Sequence, residues 1–177
     1  MERDQRSSGS LLLLGLIGGV IAGVVFLAAQ MAISIVMGGA IVDPLRLVGS
    51  VVLSVEALSP IYPVAMAASS GLIVLVVLSS IYGAICTFLL AYTRQLSNST
   101  VWLLIYGSLF GAGLWIINFL VIAPIVWSQF ILVNQFWNGF VAHTFFYGLV
   151  LGAFIATTRS DMVTASTLDG RYRPNNP

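Results

Sequence analysis

His143 is the only histidine in the chain and stands four residues before Tyr147, a spacing that sets an imidazole and a phenol on nearly the same side of a helix. Asn134, Gln135 and Asn138 precede them closely, so these five residues have the makings of a polar site. Two further amides, Gln30 and Asn118, each lie seven residues beyond a glycine, Gly23 and Gly111, inside long apolar runs. An amide facing lipid is costly, so both are expected to point inward, toward each other or toward the amphipathic segment that follows the first helix. The available chemistry is hydrogen bonding: either a path for a polar solute, which Ser69, Ser70, Ser79 and Ser80 would help to line, or cross-braces worth under about 2 kcal/mol each in a membrane.

Other chemistries lack their residues. A lone histidine cannot complete a typical zinc site or supply both ligands of a bis-histidine haem, so neither a metal nor a cofactor is expected. Cys86 is also single, which leaves no internal disulfide. Asp43 and Glu56 fall on an amphipathic stretch, where the ordinary role of a carboxylate is capping or solvation. Ser69-Ser70-Gly71 with His143 would suggest a serine protease of the membrane, yet Ala68 and Ser69 do not match the Gly-x-Ser-Gly motif of rhomboid-like enzymes. The expectation is a protein that is not an enzyme.

Positioning these residues requires long elements, and the chain supplies four apolar stretches, about residues 11–37, 64–92, 101–123 and 140–157. Each can cross a hydrocarbon core about 30 Å thick as a helix rising about 1.5 Å per residue. With 59% hydrophobic and 7% charged residues the composition is that of a membrane protein. The 177 residues allow one bundle, residues 10–158, between polar tails at 1–9 and 159–177. A formal charge of +1 leaves no basic surface for nucleic acid. The reading is an all-α four-helix integral membrane bundle in the lipid bilayer.

Small residues recur at four-residue spacing on every helix: Gly15, Gly19 and Gly23; Ser79 and Gly83; Gly107 and Gly111; Gly148 and Gly152. Such stripes remove the side chains that hold backbones apart, so they are expected to be packing seams, within the chain or against a copy or a larger complex. Aligning Gly19 with Gly107 also matches Gly23 with Gly111 and Gln30 with Asn118, a hint of two parallel repeats, and Tyr82-Gly83 resembles Tyr147-Gly148. Between the long helices, residues 43–59 read as an amphipathic helix capped by Asp43 with Pro44 in its first turn. Its apolar side is Leu45, Val48, Val52 and Val55, and its polar side includes Arg46, Ser50 and Ser54. Residues 124–138 form a second semi-apolar segment, either interfacial or re-entrant, with Trp127, Phe130, Phe136 and Trp137.

Orientation follows from arginine. Arg3, Arg6, Arg94, Arg159, Arg171 and Arg173 fall on the side of the termini and Arg46 alone on the other, which places both termini in the cytoplasm. Arg3 and Arg6 ahead of an apolar run resemble a secretory signal, but the run extends to Met37, too long for one, so it is read as a retained helix. The pattern His143-x-x-x-Tyr147-Gly148-x-x-x-Gly152 resembles one in small uncharacterised bacterial four-helix inner-membrane proteins and covers about one helix in four. That resemblance implies a bacterial inner membrane, with no activity attached. Two functions remain, a structural or accessory subunit and a small oligomeric channel or transporter for a polar solute or ion.

Overall fold

The computed structural model describes residues 2–92, 99–132 and 136–158, with side chains from residue 10 and without those of 92 and 132. Among them four helices are long and apolar enough to cross a membrane: α1 (Glu2–Val36), α3 (Val64–Tyr92), α4 (Thr100–Val126) and α6 (Phe136–Thr158). Two short helices, α2 (Asp43–Leu53) and α5 (Gln129–Leu132), lie in the connections. Asn134, Gln135, Arg94 and the tail 159–177 lie outside the described residues. Helix α1 is wound from Glu2, through the residues expected to form a polar tail over 1–9. Its other end is set by Gly38, whose φ of 82° lets Gly39 N–H return to the Ser34 carbonyl at 2.8 Å.

Two antiparallel hairpins, α1 with α3 and α4 with α6, join mainly through α1 and α6. Each hairpin is pinned at its glycines. A Cβ on Gly83 would fall on the Gly15 carbonyl oxygen and 2.6 Å from the Gly19 Cα; one on Gly148 would fall on the Gly107 carbonyl oxygen and 3.0 Å from the Gly111 Cα. These reciprocal contacts equate Gly15 with Gly107 and Gly19 with Gly111. The repeat alignment is therefore one turn away from the one expected, although Tyr82-Gly83 still matches Tyr147-Gly148. In the corrected register the counterpart of Asn118 is Phe26, so the apparent match of Gln30 with Asn118 is lost.

The interior mixes small side chains, Ala22, Ala67, Cys86, Ala142 and Ala156, with a few large ones such as Leu90, Leu151 and Ile155, while Leu12, Ile73, Val77, Leu109 and Ile117 face outward. That is the distribution expected where lipid is as apolar as leucine and close backbone approach drives helix association. Helix α2 follows the same rule and reverses the expected faces. Leu45, Leu47, Gly49 and Ser50 are buried, whereas Val52 and Val55 point outward. Its backbone meets α3 directly, since a Cβ on Gly49 would strike the Ala67 carbonyl oxygen and one on Gly71 that of Leu45. Asp43 does not cap α2. It is the first helical residue after Val42, and its carboxylate instead accepts the Ala40 N–H at 2.7 Å. Arg46 reaches past the helix end to the Ala57 carbonyl at 3.1 Å and the Ser59 carbonyl at 2.7 Å, holding a turn in which Ser54 has a φ of 65°.

Two long helices change their winding. In α4 the stretch Ile116–Ile122 is π-helical, with the Ala123 N–H donating to the Asn118 carbonyl. Pro124 follows at once; its ring would collide with the Leu120 carbonyl in an α-helix, and a wider turn upstream relieves the conflict. In α6 the π stretch is Ala142–Leu149. There the His143 ring takes the Gly139 carbonyl that an α-helix would offer to the backbone N–H of His143.

Candidate functional site

The polar residues of the long helices meet where the hairpins join. Tyr82 on α3 donates to Asn118 Oδ1 on α4 at 3.0 Å, and Tyr147 on α6 donates to the Ser79 carbonyl on α3 at 2.7 Å. These matched tyrosines of the two hairpins thus each reach across to the other hairpin. A third, Tyr106 on α4, donates to the Cys86 carbonyl at 3.0 Å. Thr87 and Ser80 on α3 bond back to carbonyls of their own helix.

His143 sits among three helices. Its ring meets Phe26 of α1 edge-on, with centroids 4.8 Å apart, and Phe119 of α4 at 5.7 Å. Because Nδ1 lies 2.8 Å from the Gly139 carbonyl, which can only accept, it carries a proton and donates. Beside it, Trp115 donates to the Phe136 carbonyl at 3.1 Å and packs edge-on against Phe136 and Phe140. The connections are tied as well: Gln129 of α5 is buried and donates to Ser50 Oγ of α2 at 3.1 Å.

Of the residues singled out from the sequence, Asn118, His143 and Tyr147 are brought into one polar and aromatic cluster. Gln30 lies one turn beyond Phe26 on α1, half-buried, and has no hydrogen-bond partner among the described residues. The expected pairing of Gln30 with Asn118 is replaced by that of Tyr82 with Asn118. Asn138 is half-buried in the first turn of α6. The glycines named as seams all serve within the chain, Gly23 against Ser79 included. Sequence reasoning missed Tyr82 as a donor, Gln129 with Ser50, and Thr144, whose buried hydroxyl has no partner among the described residues. For Tyr82 the signal was present, since a tyrosine before a mid-helix glycine recurs in both hairpins. For Gln129 it was obscured by its exposed neighbour Ser128.

The cluster holds no nucleophile and base in contact. Ser69 is exposed and its hydroxyl donates to the Met66 carbonyl of its own helix. No group of three His, Cys, Asp or Glu able to hold a metal occurs among the described residues. Comparison with protein-family models, with curated proteins and with solved structures gives no match, so the functional reading rests on this geometry.

Proposed function

We propose that the chain is a non-enzymatic integral membrane protein, a structural or accessory subunit that serves as an apolar body within a larger assembly. The observation that carries this is the inward use of its polar groups: three tyrosines, Asn118 and Trp115 are taken up in bonds between its helices, and the outward faces of the long helices present leucine, isoleucine and valine. Because the glycine seams are occupied inside the chain, a partner would be met by an apolar outer face. Arginine placement supports an orientation with both termini in the cytoplasm. The test is purification from the source membrane in native nanodiscs followed by mass spectrometry. Stoichiometric recovery of other membrane subunits is the expected result; recovery of this chain alone would overturn it.

A small oligomeric channel or transporter for a polar solute or ion is the second reading, favoured by one observation: Gln30 is half-buried and has no hydrogen-bond partner among the described residues. Solute flux into proteoliposomes, lost in Gln30→Leu and Asn118→Leu, would establish it.

A further inference from the structure

Thr144 lacks the back-bond that several other hydroxyls on these helices make. Ser80 donates to the Val76 carbonyl, Thr87 to those of Gly83 and Ala84, Thr157 to those of Ala153 and Phe154, and Thr158 to that of Phe154. Each lies in an α-wound stretch, where the carbonyls three and four residues back stand beside the side chain. Thr144 lies inside the π stretch Ala142–Leu149, only 7% exposed, and its hydroxyl has no partner among the described residues. In the π winding neither the Phe140 nor the Val141 carbonyl accepts from it. A buried polar group left without a partner is costly, and here an α-wound turn would restore its bond.

Other contacts hold the π form. His143 Nδ1 occupies the Gly139 carbonyl, and Tyr147 donates across to the Ser79 carbonyl. We propose that α6 exchanges between the π winding observed and an α winding in which Thr144 bonds back to the Phe140 carbonyl.

The exchange has an outer readout. Rewinding by one residue turns Phe136–Val141 by about 100° relative to residues 150–158. That carries the outward-facing Trp137 to a new position and releases the bond from Trp115 Nε1 to the Phe136 carbonyl. The outer end of the bundle is thereby coupled to the polar cluster at its centre, a conformational device independent of whether the protein is a subunit or a transporter.

The test is fluorine NMR of the full chain in nanodiscs with 5-fluorotryptophan, the Trp137 and Trp115 signals assigned through Trp137→Phe and Trp115→Phe. Thr144→Val removes the bond made only in the α form and should shift the population about fivefold toward the π signal. Tyr147→Phe removes a bond that holds the π form and should shift it the opposite way by a similar factor. Thr144→Ser keeps the hydroxyl and should match the natural chain. An unchanged Trp102 signal in each variant certifies an intact fold. Movement of both tryptophan signals between the same two positions, in opposite directions for the two variants, supports the exchange. Signals that stay fixed, or that move the same way in both variants, overturn it.

Discussion

A single methyl group is the most discriminating probe of these hairpins. At Gly83 a Cβ would collide with the Gly15 carbonyl and the Gly19 backbone, neither of which can swing aside as the tip of a side chain can. Gly83→Ala is therefore expected to destabilise the fold by about 1–3 kcal/mol, the usual range for overpacking. Gly113 is the control, because a Cβ there meets nothing within 4 Å and alanine favours the helix. Gly113→Ala should leave the unfolding midpoint in a mild detergent unchanged or raise it. A midpoint that falls equally for both substitutions would mean that backbone contact between α1 and α3 contributes little. The stripes of small residues were legible in the sequence because their four-residue spacing is a one-dimensional signal. Which stripe faces which was not, since Gly15, Gly19 and Gly23 offer equivalent seats and only the fit of whole helices selects the one for Gly83.

At the scale of the element, proline and winding are linked. Pro124 cannot donate to the Leu120 carbonyl, and the π stretch Ile116–Ile122 directly precedes it. The Asn118 side chain that accepts from Tyr82 lies inside this stretch. Pro124→Ala restores an N–H and should let α4 rewind as a continuous α-helix, turning Asn118 away from Tyr82. The coupling between Tyr82→Phe and Asn118→Leu, expected at about 0.6–2 kcal/mol in the natural chain, should then fall toward zero in a double-mutant cycle of unfolding free energies. A coupling that survives the proline substitution would show that the π stretch does not aim Asn118. The apolar spans of the long helices were readable from hydropathy within a few residues, though not the start of α1 at Glu2, whereas the π stretches were not, because they arise from a clash in one case and a side chain's claim on a carbonyl in the other. Helix α2 misled in the same manner. Its apolar stripe was placed correctly along the sequence, but Val52 and Val55 face outward while Gly49 and Ser50 face α3.

The whole molecule is two hairpins that close on their own glycines and join through longer side chains. Within a hairpin the contact is backbone on backbone, Gly15 to Gly83 and Gly107 to Gly148. Between hairpins it is Tyr82 to Asn118, Tyr147 to Ser79, Tyr106 to Cys86, and the Phe154 and Leu151 side chains against Gly18. Helices that are each stable in a bilayer can associate after insertion, so the hairpins should form separately and then dock. Co-expression of residues 1–95 and 96–177 as separate chains is thus expected to yield a complex that copurifies in mild detergent through a tag on either half. Replacing both crossing tyrosines, Tyr82→Phe with Tyr147→Phe, removes two hydrogen bonds from the joint and none of the glycine contacts. Recovery of the complex should fall about tenfold or more if each bond contributes about 1 kcal/mol, while each half keeps its helical circular dichroism. If the halves copurify equally well without the tyrosines, apolar packing around Gly18 is sufficient to hold the joint. If they fail to copurify even with them, the hairpins are not independent units and the fold depends on the continuous chain.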